Sequence, residues 1–187
     1  MLKRVFDLIL SVCALCVFLL PCLLIAIVVR TTSKGPALYW SMRIGKDSQP
    51  FMMPKFRTMR LETPEVATDR LSSPQSFLTP VGGFLRKTSL DEIPQLYSVL
   101  VGDMSLVGPR PALFNQDALI AARKEMGIDG IRPGITGWAQ VNGRDDISDQ
   151  QKIQFDYEYC QKAGIMTDVK IIFLTILSVL HSRGIKH

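Results

Sequence analysis

Asp91 and Glu92 form the only Asp-Glu pair in a chain of 187 residues, and arginines held in stiff turns lie around them. Arg86 shortly precedes the pair, Arg110 stands between Pro109 and Pro111, Arg132 precedes Pro133-Gly134, and Arg144 follows Asn142-Gly143. A guanidinium fixed in such a turn is a preorganised fork for phosphate oxygens, because little backbone freedom is lost when it engages. The same arginines can equally form structural ion pairs. A carboxylate at the start of a helix meets free N–H groups and the positive end of the dipole, and so stays ionised. Beside a metal, such an Asp can attack a phosphoryl centre while arginines neutralise the charge that spreads over its oxygens; capping the helix is its simpler role. The two histidines, His181 and His187, lie at the extreme C-terminus, which argues against a central imidazole base or a His-rich metal site. No Walker loop, GxGxxG fingerprint or zinc spacing occurs.

These residues need elements to place them. Ser89 and Glu92 have the S-x-x-E spacing of a capping box, which predicts a helix through Leu96, Val99 and Leu100 to Gly102, with Pro94 in its first turn. A second helix is expected over Ala112 to Met126, ending at Gly127. A third follows a cap at Ser148 and Gln151, with Ile153, Tyr157 and Cys160 on one face and Gly164 as its stop. The runs ALYWSMRI and PFMMPKFRTM, separated by GKDSQ within Pro36 to Met59, read as a β-hairpin. Arg60 to Pro80 reads as a long loop, functional or mobile. Near the end, Val169, Ile172, Phe173, Ile176, Leu177 and Leu180 recur at helical spacing, with Lys170, Arg183 and Lys186 flanking them. That helix either lies on a membrane surface or packs in the core.

The chain is 47% hydrophobic and 21% charged, and 22 Lys+Arg against 17 Asp+Glu give a net charge of +5, which suits phosphate-bearing ligands or an anionic membrane surface. From Leu8 to Val29 no residue is charged, a run longer than the roughly 18 that mark a membrane segment. Lys3 and Arg4 precede the run while Arg30 and Lys34 follow it, so the positive-inside rule wants both flanks on one face. Pro21 inside the run offers a place for the chain to turn back, giving a re-entrant hairpin; a spanning helix containing Pro is the alternative. Cys13, Cys16 and Cys22 lie in this run and Cys160 stands alone, so neither a disulfide framework nor a zinc site is available, and the chain reads as cytoplasmic or cytoplasm-facing. The division that follows is a membrane-embedded segment over 1–34 and a catalytic domain over 35–187.

The run RKTSLDEIPQLYSVLVGDMSLVGPRP, with KFRTM upstream and RPGITGWAQVNGR and TDVKI downstream, resembles the bacterial sugar transferase family, the small monotopic phosphoglycosyl transferases. The resemblance implies an α+β, mostly helical fold with a re-entrant N-terminal helix, a small β-hairpin and amphipathic membrane-surface helices. It implies transfer of a phosphosugar from a UDP-sugar to a polyprenol phosphate, normally undecaprenyl phosphate, at the cytoplasmic face of the bacterial inner membrane. By motif, Asp91 would be the nucleophile and hold Mg²⁺, and Glu92 would assist as a base. Arg86 and Arg110 would hold phosphate, with Arg57 of KFRTM, Arg132 and Arg144 as further nucleotide or phosphate contacts. Asp168 of TDVKI would be structural or support the site. One departure is Leu20, where relatives often place Ser before the helix-breaking Pro.

Two rival readings use the same residues. A membrane-anchored phosphohydrolase would pass the phosphosugar to water. A non-enzymatic adaptor would use basic patches on anionic lipid or nucleic acid, but the basic residues sit in rigid turns without interleaved aromatic stacking platforms, so no nucleic-acid partner is expected. The specificity for one sugar is expected from the 60–80 loop and the C-terminal region.

Overall fold

A computed structural model describes residues 1–64, 66, 73–143 and 147–180. Its first element is helix α1, Leu2–Thr32, which is long and apolar enough to cross a membrane. Pro21 deletes one hydrogen bond but does not interrupt the helix, so the expected turn at that position is not a loss of helical structure. Both ends of α1 are nevertheless fastened to the same domain. At the start, Lys3 Nζ donates to Asp168 Oδ2 at 2.6 Å, Arg4 donates to the carbonyls of Val99 and Leu100, and Asp7 accepts from Ser105 Oγ at 2.8 Å. At the far end, Val29 packs against Phe56 and Leu85. Residues 16–20 are exposed through more than a full turn, so the middle of the helix stands clear of the domain.

The hairpin forms as expected from β1, Leu38–Ile44, and β2, Pro50–Phe56, antiparallel with Leu38 opposite Phe56 and Ile44 opposite Pro50. Its turn closes with Gly45 N–H on the Gln49 carbonyl at 2.7 Å, and Asp47 and Ser48 take positive φ, a conformation short polar side chains tolerate. Helix α2, Gly82–Thr88, leads through a 3₁₀ segment, Leu90–Gln95, into helix α3, Leu96–Val101, which Gly102 ends at φ 103° as expected. Strand β3, Ser105–Val107, pairs in parallel with β5, Gly134–Thr136.

The helix expected over Ala112–Met126 is shorter. Ala112–Leu113 is strand β4, paired to Arg43 and Ile44 of β1, and helix α4 begins only at Asp117 and runs to Glu125. The pairing with β1 holds the first residues extended, and Gln116 Oε1 accepts the Leu113 N–H at 2.8 Å before the helix starts. A short helix α5, Trp138–Val141, precedes α6, Asp149–Lys162, which carries the expected capping box of Ser148 and Gln151. Its deepest residues are Asp156 and Tyr159, whereas Ile153, Tyr157 and Cys160 are only partly buried. The helix is rotated by its polar ties, since the Tyr159 hydroxyl reaches Asp168 Oδ1 at 2.7 Å and the Val107 carbonyl at 3.1 Å. Helix α7, Ile165–Leu180, has one packed side and one exposed apolar side. It buries Asp168 and Ile171 against the domain and leaves Met166, Val169, Phe173 and Ile176 exposed.

Among the described residues three apolar clusters pack the interior: Val29, Phe56 and Leu85 under α1; Met53, Val99 and Met104 between hairpin and α3; Val107, Tyr159 and Ile171 beneath α6 and α7. The fold is α+β and mostly helical.

Candidate active site

The reversal between α2 and the 3₁₀ segment is made at Ser89, which adopts φ 57° and ψ 16°. Its N–H returns to the Arg86 carbonyl at 3.2 Å, so Ser89 closes α2. The expected capping box is absent here, because a residue in the left-handed region cannot also present an extended N-cap side chain to the next turn. Asp91 and Glu92 open the 3₁₀ segment, and Asp91 is only 7% exposed. Strand β2 runs along this segment and brings Lys55 to it.

The Pro109-Arg110-Pro111 turn after β3 supplies the other wall. Arg110 Nη2 donates to Glu92 Oε1 at 2.7 Å, a charge-assisted bond in which the carboxylate is largely shielded from solvent. Gly134 and Gly137 of RPGITGW let β5 close on this turn: a Cβ on either would lie 2.1 Å from the backbone of Gly108. Those glycines are required by close approach of two backbones.

Asp91, Lys55, Arg86 and Arg110 form one electrostatic unit. Burial, and then the neighbouring Glu92 charge, raise the Asp91 carboxyl to about 6, against the pull of Lys55, Arg86 and Arg110. The sequence argument that a helix start keeps this group firmly ionised is corrected by its burial and by Glu92 beside it. Burial, with Arg43 and Arg110 nearby, brings the Lys55 ammonium down to about 8, opposed by Asp91 and Glu92. Lys55 Nζ also stands 5.6 Å from the Tyr39 ring centre. Two carboxylates and three cations therefore meet around a buried Asp91, with Arg110 reaching out to solvent. Such a carboxylate pair can serve nucleophilic or base chemistry, and the cations can receive phosphate oxygens.

Lys55 was not singled out from sequence, although it belongs to KFRTM. Its signal is a lysine inside the apolar strand MMPKF, where a cation is costly unless carboxylates face it. Arg57 of the same motif has a different role. It is 3% exposed and donates Nε to the Pro36 carbonyl at 2.7 Å and Nη2 to that of Ser33 at 3.0 Å, tying the exit of α1 to the hairpin. Arg132 donates Nε to the Gly102 carbonyl at 2.7 Å and so caps α3. Neither guanidinium is among the charges that act on Asp91: two main-chain carbonyls hold Arg57, and Arg132 spends its Nε on one. Asp168 is structural, fully buried between Lys3 and Tyr159. Arg144 lies outside the described residues, as do 65 and 67–72 of the expected specificity loop and 181–187 of the C-terminal region.

Among the described residues no cluster of three or more His, Cys, Asp or Glu could hold a metal. A protein cage is thus absent there, but Mg²⁺ needs only one or two carboxylates when substrate phosphates complete its shell, and Asp91 with Glu92 fit that requirement.

The family model described as bacterial sugar transferase matches residues 1–182. The chain belongs to the bacterial sugar transferase family. It is 40% identical over 185 residues to the uncharacterized sugar transferase EpsL of Bacillus subtilis, covering 99% of this chain and 90% of that protein. It is 36% identical over 183 residues to the UDP-glucose:undecaprenyl-phosphate glucose-1-phosphate transferase of Escherichia coli, covering 94% of this chain but 39% of that protein. A third relative is the exopolysaccharide production protein ExoY of Rhizobium meliloti, 37% identical over 200 residues, covering 98% of this chain and 88% of that protein. The chain thus spans nearly all of the shorter relatives and well under half of the E. coli transferase.

Proposed function

We propose that this sugar transferase moves a phosphosugar from a UDP-sugar to a polyprenol phosphate, such as undecaprenyl phosphate, through a covalent intermediate on Asp91. The observation that carries the reading is the buried Asp91 carboxylate facing Lys55, Arg86 and Arg110. In the first step an Asp91 oxygen attacks the β-phosphorus of the UDP-sugar, the bond from that phosphorus to the bridging oxygen breaks, and UMP leaves with the electron pair. Lys55, Arg86 and Arg110 neutralise the oxygens over which charge spreads, which is where phosphoryl transfer gains most. In the second step a phosphate oxygen of the polyprenol phosphate attacks the same phosphorus and expels the Asp91 carboxylate, giving a polyprenol diphosphate sugar. Glu92, paired with Arg110, takes any proton still on the acceptor phosphate. Splitting the reaction means that two anionic substrates never have to meet unaided. Asp91 would hold Mg²⁺, which supplies neutralising charge for the diphosphate when bound.

The site belongs at a membrane because its acceptor is a lipid. The apolar α1 fastened at both ends to one domain supports a membrane-embedded 1–34 that enters and leaves by the same leaflet, bent about Pro21, with 35–187 at the cytoplasmic face. The exposed apolar stripe of α7 supports a helix resting on that surface.

Purified enzyme given UDP-sugars and Mg²⁺, with and without undecaprenyl phosphate, tests the reaction. Sustained UMP release that depends on the lipid, and is lost in Asp91→Asn, is expected. Equal sustained release without lipid would instead identify a phosphohydrolase.

A further inference from the structure

Arg110 is useful only if its main chain is held still, and the turn that carries it has few donors of its own. Neither Pro109 nor Pro111 has an N–H, so the turn is held through its carbonyls. Gly134 N–H donates to the Pro109 carbonyl at 2.9 Å, Arg123 Nη1 to that of Arg110 at 2.7 Å, and Arg43 Nη1 to that of Pro111 at 3.3 Å. Arg123 comes from α4, and its other terminal nitrogen donates to Asp156 Oδ2 of α6 at 2.6 Å.

This ion pair is deeply buried, with Arg123 9% and Asp156 1% exposed. Arg123 Nε and Asp156 Oδ1 have no hydrogen-bond partner among the described residues. Two charges taken from water and left incompletely bonded are a poor way to stabilise a helix pair, where apolar residues of similar volume commonly do as well or better. What apolar residues cannot do is grip a carbonyl in the Pro-Arg-Pro turn. A guanidinium can, since its planar fork reaches two acceptors in fixed geometry, whereas a lysine is a single point.

We infer that Arg123, oriented by Asp156, is a positioning residue for the transfer reaction. It fixes the Arg110 main chain so that the Arg110 guanidinium stands at Glu92 and meets the incoming diphosphate. The link runs from α6 through Asp156 and Arg123 to the Arg110 carbonyl, and from the Arg110 guanidinium to Glu92. This rests on the reading of Arg110 as a phosphate-binding residue.

A double-mutant cycle tests it on the full-length enzyme in detergent. Arg123→Lys and Asp156→Asn are each measured in the wild-type and Arg110→Ala backgrounds for UMP release and for binding of UDP by calorimetry at fixed Mg²⁺. Each should cost about 10-fold in kcat/KM or UDP affinity in the wild-type background, as misplacement of a binding group does, and under about 2-fold once Arg110 is gone. The same factor in both backgrounds, with an unchanged melting temperature, would make the pair merely structural and overturn the inference. Full activity of a folded Arg123→Lys would overturn it as well. Should either single variant fail to fold, Arg123→Gln with Asp156→Asn replaces the charge pair by amides of similar size, and the same comparison applies. Failure of the wild type itself to bind UDP or release UMP would instead remove the proposed function on which the inference rests.

Discussion

At the residue scale the proposed chemistry depends on a carboxylate whose proton affinity burial raises and nearby cations lower. With Asp91 raised from 3.8 to about 6, the folded state binds this proton more tightly than the unfolded chain does. Stability from this group is therefore complete below the unfolded value and lost as pH rises through about 6. Asp91→Asn should gain stability over wild type as pH rises from 4 to 7, by up to roughly 3 kcal/mol for a shift of that size. Melting curves of both proteins across that range check it, and a constant difference would contradict it. Activity has the opposite sense, because the nucleophile must be ionised: UMP release should rise through about pH 6, and the edge should move to lower pH as Mg²⁺ is increased. Lys55→Met removes a cation that stabilises the Asp91 charge, so the edge should move to higher pH. The rate should fall roughly 10- to 150-fold, the worth of one charge-assisted contact of about 1.5–3 kcal/mol. A pH-rate profile of that variant distinguishes this from simple loss of fold.

At the element scale, the turn at Ser89 decides where Asp91 points. A non-glycine residue at φ 57° costs on the order of 1–2 kcal/mol, and glycine there is relieved of it. Ser89→Gly should be at least as stable as wild type, and Ser89→Val less stable by about 1–2 kcal/mol with reduced UMP release, as the β-branched side chain resists that conformation. A thermal melt with an activity assay checks both. Much of this element scale was legible in the sequence, including the hairpin, the Gly102 stop, the Ser148 capping box and the carboxylate pair with Arg110. What was not legible has a common cause in tertiary contact. Ser89-x-x-Glu92 spells a cap, yet the chain reverses there to fit β2 beside the 3₁₀ segment. Ala112-Leu113 reads as helix, yet β1 offers it a ladder. Arg57 and Arg132 look like phosphate ligands, but carbonyls at the ends of α1 and α3 claim them, and Lys55, hidden in an apolar strand, faces the carboxylates instead.

At the scale of the whole molecule, both ends of α1 meet one domain, and Asp91 sits in that same domain. If the segment re-enters the leaflet as proposed, single Cys residues at positions 2 and 31, in a protein lacking its four native Cys, should both label from the cytoplasmic side; labelling from opposite sides would establish a spanning helix. The covalent intermediate on Asp91 can be sought by mass spectrometry of enzyme incubated with UDP-sugar and Mg²⁺ but no lipid. A phosphosugar mass on the peptide that carries Asp91, together with lipid-independent exchange of UMP into UDP-sugar, is the expected result. No adduct and no exchange, with Asp91→Asn still turning over, would contradict it and point to direct attack by the polyprenol phosphate within a ternary complex.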